Sequence, residues 1–216
     1  MAVFRNTALA LTALAALAGC SREGELVVAE GVGITAVRTA CPAVGVPDYT
    51  GDVTLFRDAG DTTLANLDLV ANITNVRSSC NEQGARVYSE ATFDVMARRT
   101  DVSQPRSVTL PYFSTVLRGG SSVASKRVGT VTLNFAAGQE RAQASGKAGT
   151  YVDRAAATLP ADVRERITRK RKPGDPDAAL DPLADPAVRS AVARATFELL
   201  IGFQLDQQQL AYNATR

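Results

Sequence analysis

The residue types able to do chemistry in this chain are few, and the first constraint is an absence: its 216 residues include no histidine. That excludes Ser-His and Cys-His nucleophile activation and every zinc or non-haem iron site that depends on imidazole. Carboxylate pairs, a Ser-Lys dyad and tyrosine remain. Glu90 and Asp94 fall on one face of an alternating stretch. Four residues along a strand separate them by about 13 Å, beyond the spacing of paired glycosidase carboxylates. Ser125 and Lys126 are adjacent, so a strand points them to opposite faces. Lys147 lies near Ser145 without the Ser-x-x-Lys spacing of a dyad. The chain is read as non-enzymatic, and a histidine-independent hydrolase is the last of three readings.

Three further patterns were weighed as binding sites. Gly31-Val32-Gly33-Ile34-Thr35-Ala36 matches a dinucleotide-binding turn, with Asp52 about 20 residues on. That motif needs a helix next, and Pro42 and Pro47 break one, so no cofactor is assigned. The stretch Asp175 to Pro186 is rich in aspartate, yet Ala179, Leu180 and Pro186 stand where a calcium loop needs a ligand, a glycine and a glutamate. No metal is assigned either. Arg164 to Lys172 carries six cations, Arg164, Arg166, Arg169, Lys170, Arg171 and Lys172, against Glu165. These could hold an anionic lipid or glycan. The bland alternative is a solvated helix end neutralised by Asp175, Asp177, Asp181 and Asp185. Nucleic acid is not expected, since no aromatic residue interleaves the cations to stack on bases.

The amino-terminal residues have a different character. Arg5 gives a positive start, and Ala8 to Ala18 form an apolar run of eleven residues, ending on Leu17-Ala18-Gly19-Cys20. A bilayer span needs roughly 20 residues, so this run reads as a signal peptide rather than a membrane helix. Its end resembles the lipobox of bacterial lipoproteins in all four positions. The resemblance covers only the first 20 or so residues. It implies cleavage before Cys20, acylation of the Cys20 thiol and a chain anchored by membrane lipid on the periplasmic side of a membrane. Ser21 in place of Asp favours the outer membrane, by analogy with enteric sorting. Residues 20–25 would form the tether. Removing residues 1–19, in which Arg5 is the sole charge, leaves 197 residues with 23 basic and 22 acidic side chains. Bulk charge therefore selects no partner. Of the cysteines, Cys41 and Cys80 remain, in no Cys-x-x-Cys pattern. Outside the cytoplasm they are expected to pair, with free or redox-active thiols as the alternatives. A closed loop of about 40 residues gives a chain-entropy stabilisation of about 4 kcal/mol.

The elements positioning these residues read mainly as β. From Leu26 the pattern becomes β-like, with strands expected at 53–56, 67–76, 107–117, 123–135, 142–152 and 196–205. The clearest alternation is Arg86 to Arg99. Val87, Ser89, Ala91, Phe93, Val95 and Ala97 fall on one face, Tyr88, Glu90, Thr92, Asp94, Met96 and Arg98 on the other. Gly119-Gly120 and Gly138-Gln139 mark turns. Two short helices are expected, one from Pro160 with Val163 and Ile167 inward, one capped by Asp185-Pro186 with Val188 and Val192 inward. Together these predict a single domain over 26–216. Its fold class is an antiparallel β-sandwich of seven to nine strands, with a helical, Pro/Asp-rich insertion at about 159–194 before the last strand.

The leading functional reading is a membrane-anchored envelope module that binds or assembles with a protein partner, for instance by strand addition. Anion binding through the basic segment is the alternative. The anchor is directly testable: purified native chain is expected to begin at residue 20, carry acyl mass on Cys20 and incorporate labelled palmitate. Cys20→Ser should abolish the label, and unmodified Cys20 in native material would contradict the anchor.

Overall fold

A computed structural model describes residues 39–58 and 60–215. The expected signal peptide at 1–19, Cys20, the expected tether at 20–25, the glycine pattern at 31–36 and the β-like start at Leu26 lie outside the described residues. The chain divides into a larger compact unit, Ala36–Thr168 with Pro182–Arg216, and a smaller one containing Arg169–Asp181.

The larger unit is the expected β-sandwich, with eight strands among the described residues. In chain order they are β1 (Ala43–Gly45), β2 (Asp52–Phe56), β3 (Leu67–Asn81), β4 (Arg86–Arg99), β5 (Arg106–Arg118), β6 (Ser122–Phe135), β7 (Arg141–Asp153) and β8 (Phe197–Phe203). One sheet has the order β1-β8-β5-β6, the other β2-β3-β4-β7. Pairing is antiparallel apart from β1 with β8, which is parallel. The alternation of β4 is realised over its whole length: Val87, Ser89, Ala91, Phe93, Val95 and Ala97 are all buried. Val108 and Leu110 of β5, Val131, Leu133 and Phe135 of β6, and Leu199, Ile201 and Phe203 of β8 face them.

Two aromatic residues fix the spacing between the sheets. Phe93 and Tyr112 meet edge to face at 5.0 Å. Each lies over a glycine that is its cross-strand partner, Gly146 for Phe93 and Gly129 for Tyr112. A Cβ at Gly146 would stand 2.4 Å from the Phe93 ring, and one at Gly129 would stand 2.6 Å from Tyr112. The Tyr112 hydroxyl donates to the Lys147 carbonyl at 2.8 Å, a hydrogen bond from one sheet to the other.

β4 also holds a residue that contradicts its binary pattern. Arg99 continues the inward face and is 1 % exposed. Its Nε donates to the Gln139 carbonyl at 2.9 Å, Nη1 to Gln104 at 2.7 Å and Nη2 to Ala136 at 2.8 Å. The guanidinium also sits 5.0 Å from the Phe135 ring. Gln104 lies in the connection from β4 to β5, and Ala136 and Gln139 in that from β6 to β7. Both connections cross between the sheets.

Between β7 and β8 run three helices, α1 (Arg154–Ala157), α2 (Ala161–Thr168) and α3 (Pro186–Ala195). The two expected from sequence are α2 and α3. Val163, Ile167, Val188, Ala191 and Val192 form a small core of their own against Leu159. Asp185 caps α3, accepting from Ala187 N at 2.8 Å, with Pro186 in its first turn. A further helix, α4 (Gln207–Thr215), follows the last strand and packs on β2. Phe56 and Tyr212 meet edge to face at 5.3 Å, and Asn213 Nδ2 donates to the carbonyls of Tyr49 and Asp52 at 2.8 and 2.9 Å.

Within Arg169–Asp181, successive turns are stitched by Asp175 N to Lys172 O at 3.1 Å and Leu180 N to Asp177 O at 3.1 Å.

Removing the Arg99 side chain takes a charged donor from three carbonyls, of which Ala136 keeps Gln139 N at 3.0 Å, and each lost charge-assisted hydrogen bond costs about 1.5–3 kcal/mol. Arg99→Met is expected to destabilise the chain by about 3 kcal/mol or more in urea unfolding. Arg99→Lys should recover less than half of that, because one ammonium cannot match the three-way fork. Loss below about 1 kcal/mol in Arg99→Met would contradict the role assigned to it.

Candidate functional site

The cysteines are brought together as expected. Cys41 and Cys80 form a disulfide with Cα atoms 6.1 Å apart across a sequence separation of 39. Cys41 lies two residues before β1 of one sheet and Cys80 lies on β3 in the other, so the bond ties the two sheets covalently. A Glu82 carboxylate oxygen lies 3.0 Å from Cys41 Sγ. Cys41, Cys80 and Glu82 place three donor atoms within 4.8 Å of one another. With the sulfurs bonded to each other, neither is the thiolate a metal needs.

The basic segment is divided. Arg164 and Arg166 belong to α2, and Arg166 pairs with Asp185. That contact, together with hydrogen bonds from Ala187 and Val188, holds the Asp185 carboxyl below its ordinary range. In the smaller unit, Arg169 and Arg171 both meet Asp177, whose carboxyl is lowered chiefly by Arg169. Arg171 is buried, while Lys170 and Lys172 are exposed. Three of the six cations thus face aspartates.

The residues weighed for catalysis have other partners. Glu90 accepts from the Tyr88 hydroxyl at 2.8 Å. Asp94 accepts from Ser145 Oγ at 2.7 Å and from Asn75 Nδ2 at 2.8 Å. Those bonds, that from Asn75 first, lower the Asp94 carboxyl. Asn75 sits at the β3 irregularity with φ 51°, so Asp94 braces a bulge. Lys126 Nζ lies 5.2 Å from the Phe113 ring.

The largest feature left open is the β6 edge. β6 pairs with β5 along its whole length, from Arg118↔Ser122 to Arg106↔Phe135, and ends its sheet. Its far half feeds the core, whereas every residue of Ser122–Val128 is exposed, Val123 at 63 % and Val128 at 60 %. Among the described residues no strand pairs with the other side of β6. β7, the edge of the second sheet, runs beside it. β6 carries Lys126 and Arg127 and no acid; β7 adds Arg141 and Lys147, and its one acid, Asp153, caps α1. None of these four cations pairs with a carboxylate among the described residues. Sequence reading placed this strand but not its position at the edge, which depends on β5 lying between β6 and β8.

No helix among the described residues is long and apolar enough to cross a membrane. No known family, curated protein or solved structure matches the chain.

Proposed function

We propose that this chain is a lipid-anchored module of the bacterial cell envelope that binds a partner protein by strand addition along β6. The observation that carries the reading is the open edge at Ser122–Val128, exposed at every residue. At about 3.4 Å per residue, seven residues offer an edge of about 24 Å. Unpaired N–H and C=O groups on such an edge are a template for another strand, and natural sheets usually cover or shorten it. The cations Lys126 and Arg127, with Arg141 and Lys147 on neighbouring β7, favour an acidic incoming segment over a basic one. The lipobox supports the anchoring half of the proposal. A tether at Cys20 on the periplasmic side, with the outer membrane favoured, raises the local concentration of the module for partners at the same surface. A transient interface then suffices.

A photo-crosslinking residue at Val128 in living cells is expected to capture one partner, and the same probe at exposed Thr92 on the other sheet should not. Combining Lys126→Glu with Arg127→Glu should cut the Val128 crosslink at least tenfold without changing the melting temperature by more than a few degrees. Equal capture from Thr92, or a Val128 crosslink indifferent to charge reversal, would refute the proposed interface.

A further inference from the structure

Beside the disulfide corner, α1 and α2 enclose a cavity of about 360 Å³ whose walls include Glu82, Arg154, Leu159, Arg164, Ile167 and Thr168. Its chemistry is unlike the rest of the molecule. Arg154 Nε is buried and has no hydrogen-bond partner among the described residues. The chain does not leave guanidinium groups unsatisfied as a habit, since Arg99 meets three carbonyls. A buried N–H without an acceptor is rare and calls for a missing partner. Arg164, on α2, brings a second guanidinium to the same cavity and has no carboxylate partner among the described residues. The single acid there, Glu82, is turned to Cys41 Sγ at 3.0 Å and forms no ion pair with either arginine. The hydroxyls of Thr158 and Thr168 donate to the backbone of Arg154 and Arg164, at 2.7 and 2.8 Å, which fixes the helix turns that carry them. Leu159 and Ile167 contribute the large apolar side chains of the same lining.

We infer that this cavity binds a small organic oxyanion, a phosphate or carboxylate group on an apolar body, with the charged group on Arg154 and Arg164 and the body against Leu159 and Ile167. Guanidinium forks match the geometry of both oxyanions. The volume lies at the small end of ligand sites, which suits a compound of modest size. The site is independent of the lipid anchor and of β6. It differs from an anion site spread over Arg164 to Lys172, because Arg154 lies outside that segment and only Arg164 is shared.

Hexyl phosphate, inorganic phosphate and hexanol serve as probes, titrated calorimetrically into the full-length chain in nonionic micelles with protein-free micelles as blank. Hexyl phosphate should bind saturably and at least tenfold more tightly than inorganic phosphate, with no binding of hexanol, and should shift the Arg154 Nε–H resonance. Arg154→Lys and Arg164→Gln should each weaken hexyl phosphate at least tenfold, and Arg189→Gln, an exposed cation on α3, should not. Arg164 is exposed, so its variant reports on binding even where changes at Arg154 perturb folding. Absence of saturable hexyl phosphate binding, binding unaffected by both variants, or hexanol binding as tightly would overturn the inference. Inorganic phosphate binding as tightly as hexyl phosphate would overturn its apolar half.

Discussion

A guanidinium without a carboxylate closes one end of this sandwich. Arg99 is buried at the last inward position of β4 and reaches the two connections that pass between the sheets, through Gln104 on one and Ala136 and Gln139 on the other. Three charge-assisted hydrogen bonds to carbonyls satisfy the buried guanidinium and join the two connections through one side chain. The rest of the architecture is consistent with this clamp. Gly138 N donates to Val102 O at 2.7 Å, joining the same two connections directly. Leu69 is the cross-strand neighbour of Arg99, and Ser89 that of Cys80. Ten residue steps of β4 separate Ser89 from Arg99, a span of about 33 Å. A covalent tie at one end and an ionic clamp at the other, with Phe93 and Tyr112 between, hold two sheets face to face.

Much of this was legible in the sequence because a period of two needs no tertiary information. The limits of β4 follow from alternation alone, and Asp185-Pro186 announces α3 by its own capping chemistry. The Cys41–Cys80 bond is expected because two cysteines remain besides Cys20 and an oxidising compartment favours their pairing. The failures have physical reasons too. The alternation runs from Arg86 to Arg99, but the inward face is assigned only as far as Ala97, because a cation at the next inward position looks like a strand leaving the core. Burial of Arg99 depends on three carbonyls, two of which, Ala136 and Gln139, come from a connection more than 30 residues away in sequence. β1 has three residues, too few for any periodicity. β3 runs on to Asn81, past the expected end at Val76, because a bulge between Thr74 and Arg77 resets its alternation. The helix α4 has a signal that was passed over: Asp206 accepts from Gln209 N at 2.8 Å while Gln209 Oε1 accepts from Asp206 N at 3.0 Å. That reciprocal pair is readable as Asp-x-x-Gln.

The sites were harder to read than the fold. A run of six cations dominates the sequence, yet Arg166, Arg169 and Arg171 each face an aspartate, as the charge balance downstream anticipated. Four cations that pair with no carboxylate among the described residues, Lys126, Arg127, Arg141 and Lys147, are scattered in sequence and converge because β6 and β7 are the adjacent edges of different sheets. Arg154 is a single residue at a strand-to-helix junction, with no pattern around it to mark it. Its orphaned Nε is visible only once the neighbouring surface is closed.

A sandwich firmly closed at both ends and open along one basic edge is the physical account on which the proposed role rests. Amide hydrogen exchange of the isolated chain, resolved by residue along β6, tests it most directly. Alternate amides of Ser122–Val128, those directed away from β5, should exchange within seconds, while the intervening amides and those of β4 stay protected for hours. Uniform protection along Ser122–Val128 would mean that the edge is already covered, and the account of an open strand awaiting a partner would fail.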